Sequence, residues 1–206
     1  VGCRNQDRNY CSRICCSQAV KNALRLKDMN PGLDVYILFR DMRTYGLKED
    51  YYREASSREV RFIRFEPPEP PVVEAGETAL QASVLDPVLG RRLMIEADYV
   101  VLSAAVVPPA GIQDVAKLFK ASLSPEGFLQ EAHVKLRPVD FAAEGVFLCG
   151  AAHYPKYISE TISQAYGAAG RAAILLSRTS VTASGSVCEV DEKKCLGCGK
   201  CLAACT

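Results

Sequence analysis

Four cysteines close the chain, Cys195, Cys198, Cys201 and Cys205, spaced C-x2-C-x2-C-x3-C. In that spacing three near thiolates wrap one iron–sulfur cubane and the fourth reaches a neighbouring cluster. The chemistry it implies is single-electron transfer. Two rival readings are a zinc site, which usually pairs two separated C-x2-C units, and a disulfide framework, which suits a small secreted domain. The compact spacing and the small residues between the thiols favour the cluster.

A second group stands at the front: Cys3, Cys11, Cys15 and Cys16. Val1 and Gly2 read as the end of a strand, and a helix begins near Cys15. In a nucleotide-binding βαβ unit this connection carries glycines, so that a pyrophosphate can approach the helix N-terminus. Thiols occupy that place instead, and a helix N-terminus lowers thiol pKa. The inference is an iron–sulfur cluster in place of a nicotinamide nucleotide. The alternative is a set of buried or redox-active cysteines, including a vicinal Cys15–Cys16 pair. Cys149 and Cys188 read as small buried hydrophobes rather than ligands. His133 and His153 are isolated.

The elements that must position these thiols follow a β-α-β rhythm. A helix over Ser17–Lys27 puts Cys16, Val20, Ala23 and Leu24 on one face and stops at Asn30-Pro31-Gly32. Val35–Phe39 is an apolar run suited to a parallel strand buried on both faces. A helix over Lys48–Ser57 and a strand over Val60–Phe65 follow. Past the prolines at 67–71, antiparallel strands are expected near Leu80–Leu85 and Arg91–Glu96, with a turn at Asp86–Gly90. Asp98–Ser103 reads as a return to the buried sheet.

Gly145–Gly150 reads as a short strand ending in glycine. A helix from about Ser159 to Ser177 follows, with Thr161 and Gln164 as a capping box and Ile162, Ala165, Ala169, Ala173 and Leu176 as its buried stripe. This layout suits a strand–loop–helix that contacts a flavin, the helix N-terminus facing the pyrimidine edge. An ordinary α/β crossover is the plainer reading. Lys21 lies one turn beyond Ser17, and Arg40 and Arg43 follow the apolar strand; most such charges are solvated surface. Thr179–Ser186 reads as a linker.

The expected organisation is α/β and doubly wound, with a nucleotide-binding-like domain over 1–107, a second part over 108–178, and a tail over 179–206 that starts a ferredoxin-like module. Lys and Arg number 25 against 24 Asp and Glu, which gives no electrostatic footprint for nucleic acid. Tyr99–Val107, the longest apolar stretch, is too short to span a bilayer. With no export signal, clustered cysteines suit a reducing cytoplasm. A start at Val1 and a stop inside the cysteine run suggest a piece of something longer.

Four long segments carry a family resemblance: 9–23, from Asn9 to Ala23 around Cys11, Cys15 and Cys16; 34–46, from Asp34 to Gly46; 133–140, from His133 to Asp140; and 145–156, from Gly145 to Lys156. Through them the chain resembles the A-subunit family of heterodisulfide reductase. The resemblance implies a thioredoxin-reductase-like FAD-binding core, several [4Fe–4S] clusters and a ferredoxin module. It implies oxidoreductase activity, other reductase subunits as partners, a hydrogenase or formate dehydrogenase as donor, and flavin-based bifurcation toward ferredoxin and a disulfide-reducing partner. By position it assigns Cys11, Cys15 and Cys16 to the front cluster, with Cys3 as a candidate fourth ligand. It puts Cys195, Cys198, Cys201 and Cys205 in the tail and Lys21 near the flavin ring. Flavin contacts are expected from Gly150, Ala151, Ala152, His153, Lys156, Thr161 and Ile162. The chain departs from the family by starting Val-Gly-Cys where relatives have Cys-Val-Gly-Ser, and by having Ala151 where related flavoproteins often have Asp. No G-x-G-x-x-G is present. Two rivals are a ferredoxin-like carrier or scaffold without flavin, and a pyridine-nucleotide disulfide reductase.

Overall fold

A computed structural model describes residues 1–181 and 189–204. The first layer is a small parallel arrangement. β1 (Tyr36–Phe39) pairs in parallel with β2 (Arg61–Arg64). On the other side of β1, Val1 donates its amine to the Leu38 carbonyl at 2.6 Å and accepts the Arg40 amide at 2.9 Å. Val1 thus lies hydrogen-bonded along β1, but the expected strand end is not formed at residues 1–2, and the sheet has two strands. Gly2 is required there: its φ is +103°, and a Cβ would stand 2.7 Å from the Arg40 Cβ.

α1 (Cys15–Met29) and α2 (Glu49–Ser57) pack on this layer. α1 buries Cys15, Cys16, Val20, Ala23, Leu24 and Lys27, the face that its i, i+4 spacing predicts. Val20, Ala23 and Leu24 meet Ile37, Ala55 and Val60 to form the core. Lys27 is sequestered by extending its stem along that core and donating to the Pro31 carbonyl at 3.2 Å. Asn30 caps the helix C-terminus.

β3 (Val72–Ala75), β4 (Leu80–Asp86) and β5 (Arg91–Ala97) make an antiparallel sheet in that order. The Asp86–Gly90 turn is as expected, with the Asp86 carboxylate accepting the Val88 and Leu89 amides. β3 carries no clear strand signal in the sequence, because prolines crowd its start. α3 (Ile112–Phe119) and the hairpin of β6 (Ser122–Leu123) and β7 (Leu129–Gln130) follow, then α4 (Ile158–Leu176) and the short α5 (Lys200–Ala204).

Four further expectations are corrected. Asp98–Ser103 is not a buried strand but an irregular segment, with Tyr99, Val101 and Leu102 more than four-fifths exposed. Gly145–Gly150 forms only an isolated antiparallel bridge, Asp140 with Phe147, and ends in a 3-10 turn over Gly150–Ala152. α4 turns a different stripe inward: Ala168 is its buried residue, while Ile162, Ala165, Ala169, Ala173 and Leu176 are exposed. Its N-cap is Tyr157, whose amide donates to the Glu160 carboxylate at 2.8 Å, so Thr161 and Gln164 do not form the cap. The architecture is mixed α/β with small sheets. No helix among the described residues is long and apolar enough to cross a membrane.

Candidate functional site

The front cysteines lie on a loop, residues 3–14, that leaves the Val1 segment beside β1, and on the start of α1, which it enters. Ser12 is its pivot and is fully buried. The Ser12 hydroxyl accepts the Cys3 thiol at 3.2 Å and the Val106 amide at 2.9 Å, and the Ser12 amide donates to the Cys3 sulfur at 3.4 Å. One residue on, the Arg13 amide donates to the Cys11 sulfur at 3.2 Å. A backbone amide thus points at each of the two sulfurs.

Cys15 and Cys16 form the buried first turn of α1, where Ile14 as N-cap supplies no side-chain oxygen. Their sulfurs therefore stand at the positive end of the helix dipole. The Cys15 thiol is brought down to about 5: hydrogen bonding from Cys16 outweighs burial, and the Gly2 amide and Cys3 add to it. Cys16 moves up, because it is the donor to Cys15 and is buried. Its proton also faces the Asp41 carbonyl, at 3.5 Å. Asp41 anchors the loop further by pairing its carboxylate with Arg4, while Arg40 donates to the Arg4 carbonyl at 2.5 Å.

A second set of side chains converges on His153, with no second histidine among its hydrogen-bond partners in the described residues. Gln164 and Lys156 donate to its Nδ1 at 2.8 and 3.1 Å. Nδ1 is thus the acceptor, which leaves Nε2 to donate to the Glu131 carboxylate at 2.7 Å. The Gln164 carbonyl oxygen accepts the Gly150 amide at 2.9 Å, so the 3-10 turn is tied to α4. Burial draws the Lys156 ammonium down. Gly150 has φ +72°, and a Cβ would meet the Thr161 methyl at 3.3 Å. A groove of about 730 Å³ runs beside this unit, lined by Val139, Lys156, Ser159, Gln164, Gly167 and Arg171 among others.

The loop and α4 are joined. Arg13 pairs with Glu160 at 2.5 Å, and the Tyr157 hydroxyl donates to the Arg13 carbonyl at 2.8 Å. Tyr10 stacks edge-on against Phe128 and Tyr154, and its hydroxyl donates to the Val106 carbonyl at 2.8 Å. None of these partners is near the other in sequence, so no local pattern announces them.

The structure therefore gathers Cys3, Cys11, Cys15 and Cys16 at one end of α1, and Gly150, His153, Lys156 and Thr161 at the start of α4. Ala151 and Ala152 are exposed in the 3-10 turn, and Ile162 is exposed on the outer face of α4. Lys21 is exposed on α1, with no hydrogen bond or ion pair among the described residues. Cys149, expected to be buried, is exposed. In the tail, Cys195, Cys198 and Cys201 are exposed. The Cys195 amide donates to the Asp191 carbonyl at 2.9 Å, and Gly197 and Gly199 take φ of +66° and +68°, which turns the chain between thiols. Cys188 and Cys205 lie outside the described residues.

Among the described residues, no three cysteine, histidine or carboxylate side chains converge tightly enough to hold one metal ion. A four-iron cluster takes one thiolate at each of its iron corners, so donor chemistry is the test. The front set passes it. It offers four soft sulfurs, two of them with amide donors, and among the described residues the buried Nε atoms of Arg4 and Arg8 have no hydrogen-bond partner. An anionic thiolate-bound cluster matches that surplus of donors. Around Gly150 the absence of a Cβ lets the turn pack closely on the Thr161 methyl at the start of α4.

No family model matches the chain. It is similar over almost its whole length to several curated proteins. It is 36% identical over 205 residues to the A-subunit of the ferredoxin:CoB-CoM heterodisulfide reductase of Methanosarcina acetivorans, covering 98% of this chain and 25% of that protein. It is 38% identical over 209 residues to the A-subunit of the H(2):CoB-CoM heterodisulfide,ferredoxin reductase of Methanothermobacter marburgensis, covering 100% and 31%. Over nearly its whole length the chain thus matches a segment of proteins named heterodisulfide reductase A-subunit. A further relative, the iron-sulfur A-subunit of the CoB--CoM heterodisulfide reductase of Methanocaldococcus jannaschii, is 40% identical over 201 residues, covering 96% and 30%. The chain spans between a quarter and a third of the length of these relatives.

Proposed function

We propose that this chain is the cluster-bearing part of an FAD- and iron–sulfur-dependent oxidoreductase subunit in a heterodisulfide-reductase-like complex. The observation that carries the reading is the meeting of Cys3, Cys11, Cys15 and Cys16 at the α1 N-terminus, with backbone amides already aimed at two of the sulfurs. Iron–sulfur naming among the relatives supports it. Cys11, Cys15 and Cys16 hold a [4Fe–4S] cluster, with Cys3 as candidate fourth ligand. Cys195, Cys198, Cys201 and Cys205 belong to a ferredoxin-like module over 179–206. Segments 1–107 and 108–178 form the two parts of a thioredoxin-reductase-like core.

Gly150, Ala151, Ala152, His153, Lys156, Thr161 and Ile162 form the flavin side of the site, with Lys21 near the ring. A bound flavin supplies the exchange between electron pairs and single electrons, including bifurcation. The protein's own residues bind and tune. Gln164 holds the Gly150 turn, and the His153–Glu131 pair fixes the imidazole with Nε2 protonated. Burial, amide-to-sulfur bonds and nearby arginines set cluster potential. Partners are other reductase subunits, ferredoxin, and a hydrogenase or formate-dehydrogenase donor, in the cytoplasm.

The test is anaerobic purification of the full-length protein with assay of iron, acid-labile sulfide and flavin absorbance. Iron, sulfide and flavin are all expected, and Cys16→Ala is expected to remove one cluster's EPR signal while the tail signals persist. Protein without flavin would instead favour a ferredoxin-like carrier. The vicinal Cys15–Cys16 pair, with Cys15 drawn down to about 5, also suits a dithiol reductase; reduction by NADPH alone, with Cys11 dispensable, would favour that reading.

A further inference from the structure

Arg13 is one of three non-glycine residues with left-handed backbone, at φ +64°, among the described residues. A side chain at that φ is strained, and such strain persists only where surroundings over-determine it. The amide, carbonyl and guanidinium of Arg13 are each engaged. Its amide donates to the Cys11 sulfur at 3.2 Å, its carbonyl accepts the Tyr157 hydroxyl at 2.8 Å, and its guanidinium meets Glu160 at 2.5 Å. Glu160 at the same time accepts the Tyr157 amide at 2.8 Å. Because the tyrosine proton goes to Arg13, the Ser17 hydroxyl is the donor in its 3.0 Å contact with the Tyr157 oxygen. The Lys48 ammonium sits 3.0 Å above the centre of the Tyr157 ring. Tyr157 is thus gripped on its amide, its ring and its hydroxyl.

We infer that Tyr157 and Glu160 are positioning residues for the front cluster: by clasping Arg13 they hold its backbone left-handed and keep its amide on the Cys11 sulfur. The start of α4, on the flavin side of the proposed site, thereby sets a hydrogen bond to a cluster ligand on the other side. The inference rests on the cluster assignment above. Releasing the Arg13 carbonyl lets φ relax to a negative value, which swings the amide away from sulfur. A thiolate that loses an amide donor carries its charge less favourably in the reduced cluster, so the potential falls.

The test uses the full-length protein and EPR-monitored redox titration, with the tail clusters as internal controls. Tyr157→Phe is expected to shift the front cluster to a more negative potential and to leave the tail potentials in place. Glycine takes positive φ without strain, so adding Arg13→Gly to Tyr157→Phe is expected to restore the potential. A merely structural clasp would be damaged further by that second change. In iron-free protein, Tyr157→Phe and Glu160→Gln are each expected to speed hydrogen exchange of the Arg13 amide several-fold, a readout that does not need the cluster. An intact cluster at unchanged potential in Tyr157→Phe, or a double variant no better than the single, would overturn the clasp alone. Wild-type protein lacking the front cluster would overturn the site assignment, and the clasp with it.

Discussion

Cys15 and Cys16 are packed under α1 and hydrogen-bonded to their neighbours, whereas Cys195, Cys198 and Cys201 face water in a segment where every residue from 189 to 203 is exposed. The front thiols are placed by the protein: a segment bonded to β1, a buried serine, two amide-to-sulfur bonds and a helix start fix them. The tail thiols are placed by little more than two left-handed glycines and one turn at Asp191. One site is preorganised. The other gains its core from whatever the sulfurs bind, since metal-binding free energy in a small module is also folding free energy.

The largest expected effect of this contrast comes from removing iron. Hydrogen exchange in segment 189–204 should rise to the rates of an unfolded peptide, while α1 amides keep their protection. Equal loss in both regions would break the contrast. Next come the glycines. Gly2→Ala meets both positive φ and the Arg40 side chain, and is expected to lower global stability by about 3 kcal/mol in a urea melt. Gly197→Ala has φ +66° but open space around it, and should leave that melt unchanged while weakening only the tail.

The smallest effect is a pH dependence confined to the front. Glu160 is held below the usual carboxylate range; burial opposes this, but the Tyr157 amide and Arg13 outweigh it. Glu131 is lowered too, against burial, by a backbone amide and His153. A carboxylate depressed in the folded state stabilises it above the unfolded pKa of about 4.3 and stops doing so as pH falls through the lower folded value. Docking of the 3–16 loop on α4 should therefore hold at neutral pH and weaken below about pH 4, seen as rising Tyr157 exposure. Glu160→Gln should flatten that acid limb.

The front of the molecule is largely legible in the sequence because its signals are local. A 3.6-residue apolar period marks α1, a short apolar run marks β1, and Phe62 and Ile63 flanked by arginines mark β2. The tail motif needs only spacing. Elsewhere the pattern lacks the information. α4 is rich in alanine and apolar on several sides, so period alone does not choose between the stripe through Ala168 and the one through Ile162. Tyr99–Leu102 has the composition of a buried strand, yet no named strand among the described residues pairs with it. The clasp on Arg13 and the network at His153 join residues separated by 147 and 22 positions, and sequence spacing is silent about such contacts.

The exposed run from Tyr99 to Val107 also bears on how the polypeptide behaves in concentrated solution. It is uncharged, rich in β-branched residues and free of proline, the composition that seeds cross-β stacking when several copies meet. Asp98 stands before it and Pro108-Pro109 after it, as gatekeepers that interrupt such stacking at both ends. Tyr10 and Ser12 pin its Val106 through both backbone groups. The serine that organises the front thiols thus also restrains a segment of fibril-prone composition, and loosening the cysteine loop should shorten the lag time of aggregation.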